Sequence, residues 1–221
     1  MMKPAALFFL GFAAFFPVAS AWAEGMSFRM VTLGGRCNGP CPQVIVAQGE
    51  IAEETPDAFL GFIRQSAASG ELHSIVLLDS PGGKVNAAME FGRVLRRLGA
   101  AVIVARPASD TETTGDLLAG RCYSACVYAL MGGRKRVIPP LSSVGVHRMF
   151  NYVLTPDPAG GEPVRRRNYD DGAMRTRLLR YSHKMGVSND LINHAERTSP
   201  DRLHVLSREE IARWRLGSGK F

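Results

Sequence analysis

The segment SIVLLDSPGGKVNAAMEFGRVLRRL, residues 74–98, contains the pattern that decides the fold. Ser74 to Leu78 is a continuous apolar run, which is typical of a strand buried on both faces of a sheet. The run ends in Asp79-Ser80-Pro81-Gly82-Gly83, and apolar residues then recur at helical spacing from Lys84 to Leu98. A buried strand that turns directly into an amphipathic helix is the repeating unit of α/β folds with parallel strands.

The sequence on both sides of this segment repeats the alternation. Further strands are predicted at residues 44–47, 101–105, 136–138 and 143–147, and further helices from Thr55, at 124–131, 170–185 and 189–195, and from Ser207. Residues 106–120 and 152–164 lack periodicity, so we predict a surface loop and a flexible loop there. No repeat or internal boundary divides the chain, which favours a single α/β domain with mostly parallel strands.

The composition is that of a basic, globular protein. Apolar residues make up 46% of the chain and charged residues 21%, which excludes intrinsic disorder as a class. The formal net charge of +7 is compatible with binding to acidic partners or acidic surfaces. Two arginine-rich clusters, 134–136 and 165–167, are expected to be solvated, with an anionic membrane surface or an acidic peptide as the functional alternative. No nucleic-acid partner is expected, because only Tyr169 offers a stacking ring near these bases.

The first residues have the layout of a secretory signal peptide. Lys3 gives a positive start, an apolar run follows from Ala5 to Ala19, and small residues recur up to Ala23. The apolar run is shorter than the roughly 20 residues that a membrane-spanning helix needs. We therefore predict that residues 1–23 are a cleaved signal, that 24–221 form the mature domain, and that the protein is exported, most simply to a bacterial periplasm.

An oxidising compartment makes disulfides the expected use of the four cysteines. Cys37 and Cys41 are separated by Asn-Gly-Pro, and Cys122 and Cys126 by Tyr-Ser-Ala. The turn-forming Gly39-Pro40 favours a local Cys37–Cys41 bond. The second pair is left open, because two cysteines on one regular helix would bridge poorly. Three connectivities exist in principle, and zinc binding is the less favoured alternative.

Three segments carry side chains or backbone groups suited to catalysis. Gly82-Gly83, at the end of a buried strand, allows backbone N–H groups to approach a ligand closely. Ser124 opens a short apolar helix, where a serine is usually a cap but can also be a nucleophile beside the helix dipole. His147 ends a strand, where an imidazole can act as general base, although a single histidine there is more often structural. Each segment alone is weak support for an active site.

Taken in order, the three segments resemble the proteolytic subunit of the Clp protease, within the ClpP/crotonase superfamily. The similarity runs from about Val44 to Leu216, and the signal peptide with Cys-Tyr-Ser-Ala-Cys resembles a poorly characterised exported branch of it. The resemblance implies a spiral of β-β-α units and a cofactor-free serine peptidase acting on peptides or proteins. It assigns Ser124 as nucleophile, His147 as base, and the N–H groups of Gly83 and Ala125 as the oxyanion hole. Clp subunits form rings, so a homo-oligomer is left open.

The sequence departs from the family at the third member of the triad. Where the family has an aspartate after a Glu-Arg pair, this chain has Thr198 and then Ser199, with Asp201 three residues further on. Asp201 is therefore a weaker candidate to orient His147, and Thr198 the alternative.

Two further hypotheses stay open. Lys184 is the alternative base of a Ser–Lys dyad, and an inactive pseudo-hydrolase with a binding or assembly role is the rival to any enzyme; a crotonase-type acyl-CoA enzyme fits an exported chain poorly.

Overall fold

A computed structural model describes residues 25–34, 41–68 and 75–220 of the 221-residue chain. The predicted signal peptide, residues 1–23, and Cys37 lie outside the described residues. The strands in chain order are β1 Ser27–Leu33, β2 Gln43–Gln48, β3 Ile75–Asp79, β4 Ala101–Ile103, β5 Ala105–Pro107, β6 Thr113–Thr114, β7 Leu117–Ala119, β8 Arg121–Tyr123, β9 Lys135–Val137, β10 Ser143–Val146, β11 Asn151–Thr155, β12 Val164–Asn168 and β13 His204–Val205. The helices are α1 Thr55–Ala68, α2 Val85–Arg97, α3 Cys126–Met131, α4 Ala173–Lys184, α5 Asn189–Arg197 and α6 Arg208–Arg213.

The largest sheet has six strands in the order β6-β1-β2-β3-β4-β9. Strands β2, β3, β4 and β9 run parallel, and β1 joins β2 in the antiparallel sense. Val44, Val46 and Leu77 pack in a small cluster on one face, whereas Ile45, Val76 and Leu78 face the main core. Burial of both faces explains why β2 and β3 are continuous apolar runs rather than alternating ones.

Helices α1, α2 and α3 fill the main core beside this sheet. The rings of Phe28, Phe59 and Phe91 form an aromatic cluster with centroids 5.0–5.9 Å apart, joining β1, α1 and α2. A Cβ on Gly132 would collide with the backbone of Gly92, so α2 and the end of α3 are in close contact. This packing fixes α3, the helix that follows Ser124.

A second sheet, in the order β13-β10-β8, lies over the ends of the first. Strands β8 and β10 are parallel, and β13 pairs antiparallel with β10. Ser80, at the end of β3, bridges to Cys122 in β8. The carboxyl ends of β3, β8 and β10 are thereby brought into one region, which is where the candidate catalytic segments begin.

The structure corrects three expectations about the surface segments. Residues 151–168 form a hairpin, β11–β12, in the region predicted to be a flexible loop. The predicted surface loop at 106–120 contains the short strands β6 and β7 and the end of β5. Arg136, expected to be solvated with its neighbours, donates to five backbone carbonyls. The capping box predicted at Ser207 is present, with Glu210 as its partner.

Within the described residues, no helix combines the length and the apolar character required to cross a membrane.

Candidate active site

Ser124 lies in a tight turn between β8 and α3. Its φ of 54° is left-handed, a conformation that costs a non-glycine residue about 1–2 kcal/mol. The Ser124 N–H donates to the carbonyl of Gly145 in β10 at 2.8 Å, which holds the turn against the neighbouring strand. Helix α3 begins only at Cys126, and no side chain caps it. Ser124 is therefore not a helix cap, and its hydroxyl has no hydrogen-bond partner among the described residues.

A disulfide encloses this turn. Cys122 and Cys126 are bonded to each other, with their Cα atoms 5.2 Å apart. Cys122 lies in the strand β8 and Cys126 is the first residue of α3. The two cysteines are therefore not on one helix, which is the arrangement in which poor bridging was expected. Both are fully buried. The predicted Cys37–Cys41 bond involves Cys37, which is outside the described residues, and stays a prediction.

We expect the Cys122–Cys126 bond to maintain the left-handed turn at Ser124. Replacing both cysteines by alanine should lower the free energy of unfolding by about 2 kcal/mol, because a short closed loop is freed in the unfolded chain. It should also slow modification of Ser124 by a fluorophosphonate about tenfold, which corresponds to about 1.4 kcal/mol of lost organisation. Urea unfolding and labelling kinetics measure the two effects separately. An unchanged labelling rate in the folded double variant would contradict this role for the disulfide.

The Ser80–Gly83 turn lies directly against Ser124. A Cβ built on Gly82 would be 2.9 Å from the Cβ of Ser124 and 3.2 Å from the Ala125 nitrogen. Gly83, at φ 136°, would place a Cβ onto the backbone of Ile51. Both glycines are thus required by close approach of the chain as well as by their dihedral angles.

Two backbone N–H groups in the segments that meet at Ser124, those of Gly83 and Ala125, have no acceptor within the described part of the chain. The N–H of Ile51 donates to the carbonyl of Gly82, and the N–H of Lys84 donates to the carbonyl of Ile51. The N–H of Gly83, between them in the chain, has no partner among the described residues. The N–H of Ala125, at the start of α3, likewise has no partner there. Because polar backbone groups are almost always paired, two unpaired donors beside one hydroxyl are suited to bind an anionic oxygen.

His147 follows β10 directly. In the β8–β10 register Tyr123 is opposite Gly145, so Ser124 and His147 both lie just beyond the carboxyl ends of adjacent parallel strands. His147 Nδ1 is 2.9 Å from the carbonyl oxygen of Arg148, and since a carbonyl only accepts, Nδ1 must carry the proton. Nε2 is then the basic nitrogen, and within the described chain nothing is hydrogen-bonded to it.

The structure does not bring Asp201 to His147. Asp201 is exposed and forms an ion pair with Arg167 at 2.7 Å. Thr198, the alternative, donates its hydroxyl proton to the carbonyl of His194, while its own carbonyl accepts from the N–H of Arg148 at 2.9 Å. The side chain of Ser199 accepts from Asp201 N–H. Among the described residues, the hydrogen-bond partner of the imidazole is the backbone carbonyl of Arg148.

Lys184 lies away from Ser124. It is exposed at the last position of α4. The carbonyl of the next residue, Met185, accepts from Arg96, which also donates to Met131 at the end of α3. Lys184 is therefore beside the carboxyl end of α3, whereas Ser124 precedes its amino end. A helix of six residues is about 9 Å long, so the two side chains begin at opposite ends of it.

Arg148, the residue after His147, forms a partly buried ion pair with Glu196. Arg148 Nε is 3.8 Å from Glu196 Oε2, and the Arg148 guanidinium stacks over the ring of Tyr169. Burial raises the pKa of the Glu196 carboxyl above its usual range, and the charge of Arg148 partly offsets this. Nothing in the sequence pattern singled out Arg148 or Glu196 as members of the site.

A polar cavity of about 400 Å³ opens beside Ser80. It is lined by Gln48, Asp79, Arg106, Ala119, Gly120, Arg121, Leu141 and Ser143. Asp79 Oδ1 accepts from the N–H of Arg121 at 2.8 Å, so the carboxylate is held in place on the wall. Since Asp79 and Arg121 directly precede Ser80 and Cys122, the cavity adjoins the candidate site.

Comparison with known proteins supports the fold. No protein-family model matches the sequence, and no curated protein matches it. Two similar solved structures are mutants of the 1510-N membrane-bound stomatin-specific protease. A serine-to-alanine mutant has a TM-score of 0.51 and 18% identity, with 77% of this chain and 74% of that chain covered. A lysine-to-alanine mutant in complex with a substrate peptide has a TM-score of 0.50 and 21% identity, with 77% and 71% covered.

The fold resembles that of ClpP-like proteases. This confirms the α/β fold class predicted from the sequence. Identities of 18% and 21% establish similarity of fold alone, so the chemistry of this chain has to be argued from its own residues.

Proposed function

We propose that the protein is an exported serine peptidase in which Ser124 is the nucleophile and His147 the general base. The observation that carries this proposal is the turn at Ser124. Ser124 has a left-handed φ, and its hydroxyl has no hydrogen-bond partner among the described residues. The N–H groups of Ala125, the next residue, and of Gly83, in the turn that packs against Ser124, are likewise unpaired there. Ser124 is half-buried. A serine with a strained backbone at a strand-to-helix turn is the arrangement that acyl-transferring serine enzymes use.

The reaction begins with transfer of the Ser124 hydroxyl proton to Nε2 of His147 as Oγ attacks the peptide carbonyl carbon. The carbonyl oxygen becomes an oxyanion, which accepts hydrogen bonds from the N–H groups of Gly83 and Ala125. His147 then gives its proton to the leaving amine, and the C–N bond breaks. Water repeats the sequence on the acyl-enzyme, releasing the acid and regenerating Ser124.

The carbonyl of Arg148 takes the orienting role that an aspartate has in a triad. It fixes the proton of His147 on Nδ1, so Nε2 is presented as the base. A neutral carbonyl stabilises the imidazolium less than a carboxylate does, and loss of the aspartate contribution reaches about 10⁴-fold in kcat in other serine enzymes. We therefore expect a slow peptidase. Its resting state has no direct Ser124–His147 hydrogen bond, which is common before substrate binds.

Short or unfolded peptides are the substrates that fit this proposal. The similar protease was solved with a substrate peptide bound, which supports a peptide as the substrate class. The polar cavity beside Ser80 would receive a side chain or a polar end of such a peptide. Charged groups of both signs, Asp79 and Arg121, line it.

Contact with an anionic membrane surface is a weaker part of the proposal. The arginine cluster lies on β12, where every residue is exposed. However, Arg165 stacks over Tyr152, and Arg167 stacks over Phe150 and pairs with Asp201. Within the described residues only Arg166 of the three is left without a partner, so most of this cluster is engaged in holding its own hairpin. Export and any homo-oligomer remain proposals based on the sequence.

Among the residues that the structure describes, no carboxylate is hydrogen-bonded to His147. This also favours a second candidate function, an inactive pseudo-hydrolase that binds peptides. Fluorophosphonate labelling separates the two. We expect the wild type to be modified on Ser124, and His147→Ala to slow the modification by about 10²- to 10⁴-fold through loss of the base. Asp201→Asn and Lys184→Ala should stay within about twofold of the wild type, because neither side chain contacts the site.

The outcomes of this experiment are distinct. Failure of the folded wild type to react would establish the pseudo-hydrolase. A Lys184→Ala variant as slow as His147→Ala would establish the Ser–Lys dyad instead. A slow Asp201→Asn variant would show that the aspartate moves to His147 when the enzyme works.

A further inference from the structure

Three potential metal ligands lie close together near β13, the strand that pairs with β10 just before His147. They are His194 in α5, His204 in β13 and Glu210 in α6. One ligand atom from each lies within 4.8 Å of the other two, and all three residues are half-buried. Two imidazoles and one carboxylate, contributed by three separate elements, are a donor set that suits Zn²⁺.

One nitrogen of the His194 imidazole lacks a hydrogen-bond partner among the described residues. This nitrogen, Nε2, is also shielded from solvent. An unsatisfied buried polar atom of this kind costs about 1–3 kcal/mol, and such atoms in native proteins call for an explanation. The ring is held between His204, 4.4 Å away, and Trp214, 5.2 Å away, measured between ring centroids.

The other two ligands are already oriented toward each other. His204 Nε2 is 2.9 Å from Oε1 and 3.1 Å from Oε2 of Glu210. Glu210 Oε2 also accepts from the N–H of Ser207 in the capping box at 2.8 Å. The carboxylate is thus fixed through Oε2, and Oε1 is available for a metal. This is the kind of supporting hydrogen bond that orients ligands in metal sites.

We propose that His194 Nε2, His204 Nε2 and Glu210 Oε1 bind a divalent transition-metal ion, for which Zn²⁺ is the best fit. The ion replaces the proton that now lies between His204 and Glu210. In a neutral His204 ring that proton moves to Nδ1, and in a charged ring it leaves to solvent. Bonds of about 2.0–2.2 Å bring the ligand atoms to about 3.3 Å from one another, which small side-chain rotations achieve. A water molecule completes the tetrahedron.

The ion would join the segments that support His147. His204 is paired with Val146, the residue before His147, in the β10–β13 ladder. His194 accepts from Thr198 through its carbonyl, and Thr198 accepts from the N–H of Arg148. A metal here stabilises α5, β13 and α6 against β10. It takes no part in the chemistry at Ser124, so this inference does not depend on the proposed peptidase activity.

The competing interpretation is that His204 and Glu210 form an ordinary ion pair and His194 only packs against it. Calorimetric titration of Zn²⁺ into untagged, chelator-treated protein distinguishes the two. We expect one ion per chain and a midpoint of thermal unfolding that rises with Zn²⁺ concentration. Co²⁺ in the same protein should show the visible absorption of tetrahedral coordination.

The matched variants are His194→Ala and His183→Ala. His194→Ala should weaken Zn²⁺ affinity by at least about tenfold and abolish the Co²⁺ absorption, whereas His183→Ala, an exposed histidine at the end of α4, should bind as the wild type does. His194→Gln provides a second test if the alanine variant is poorly folded. No saturable Zn²⁺ binding, or equal binding by His194→Ala and the wild type, would overturn the proposal.

Discussion

Replacement of Ser124 by alanine is expected to abolish peptide hydrolysis. Removal of the nucleophile alone reduces kcat by about 10⁶-fold in a well-studied serine protease, which for a slow peptidase means activity below detection. The physical reason is that the oxyanion hole and the base have no covalent intermediate to stabilise once Oγ is gone. Degradation of denatured casein and of a mixture of short peptides, followed by mass spectrometry, measures the loss.

The fold should be unaffected by this change, because the hydroxyl of Ser124 makes no hydrogen bond with the described residues. Alanine also adopts left-handed φ no more readily than serine, so the turn is not relieved. Ser109→Ala, at an exposed position, is the matched control and should cleave as the wild type does. Hydrolysis by Ser124→Ala at the wild-type rate would remove Ser124 from the mechanism and with it the proposed function.

The candidate catalytic segments were predictable because their signals are local in sequence. A glycine pair after an apolar strand, a serine before a short apolar helix and a histidine after a strand are each visible in the sequence. Their meeting in space follows from parallel strands, whose carboxyl ends share one edge. The sequence does not reveal how His147 is oriented, since the group that binds Nδ1 is the Arg148 carbonyl. Every residue has a carbonyl, so no residue type marks this role.

The β11–β12 hairpin was missed for a different reason. The turn-forming residues of this region lie at 156–163, between the strands, and the predicted loop was extended back over Tyr152–Thr155. The strand β12 contains three consecutive arginines and has no apolar face, so alternation could not identify it. Exposed two-stranded ribbons are stabilised by contacts between side chains on the two strands, here the Arg165 guanidinium over the ring of Tyr152. Such contacts leave no periodic pattern in the sequence.

The three proposed metal ligands also could not be identified from a sequence pattern. His194, His204 and Glu210 are separated by nine and five residues, which matches no ligand spacing within one helix or turn. Only the antiparallel pairing of β13 with β10 brings His204 between α5 and α6. Long-range packing, rather than any motif, creates the site.

Arg136 gives the largest expected effect on stability. We expect Arg136→Met to lower the free energy of unfolding by about 3 kcal/mol or more. Its guanidinium donates to the carbonyls of Leu216 at 2.6 Å and Arg215 at 2.9 Å, beyond the end of α6. It also donates to Met131 and Gly133 at the end of α3, and to Met185 at the end of α4. One side chain thus satisfies the carboxyl ends of three helices.

Two terms make this effect large. Helix carboxyl ends carry partial negative charge, so a cation there is stabilising, and each charge-assisted hydrogen bond contributes about 1.5–3 kcal/mol before non-additivity is considered. Burial, and then the nearby charge of Arg96, lowers the pKa of Arg136 to about 10, so the group is still charged at neutral pH. Methionine keeps the aliphatic packing but removes the Arg136 donor from the carbonyls of Gly133, Arg215 and Leu216. Among the described residues, the carbonyls of Met131 and Met185 keep only their hydrogen bonds from Arg96.

Arg134→Met is the matched control in the same basic cluster. Arg134 is exposed, and within the described chain its backbone N–H, not its side chain, forms a hydrogen bond, to the carbonyl of Ala100. Its replacement should therefore change stability by less than about 0.5 kcal/mol. Arg136→Lys should recover only part of the loss, because an ammonium group cannot span carbonyls from three helices as the planar guanidinium does. Urea unfolding followed by circular dichroism compares the four proteins. Equal stabilities for the Arg134 and Arg136 variants would mean that the three helix ends are held by packing rather than by this side chain.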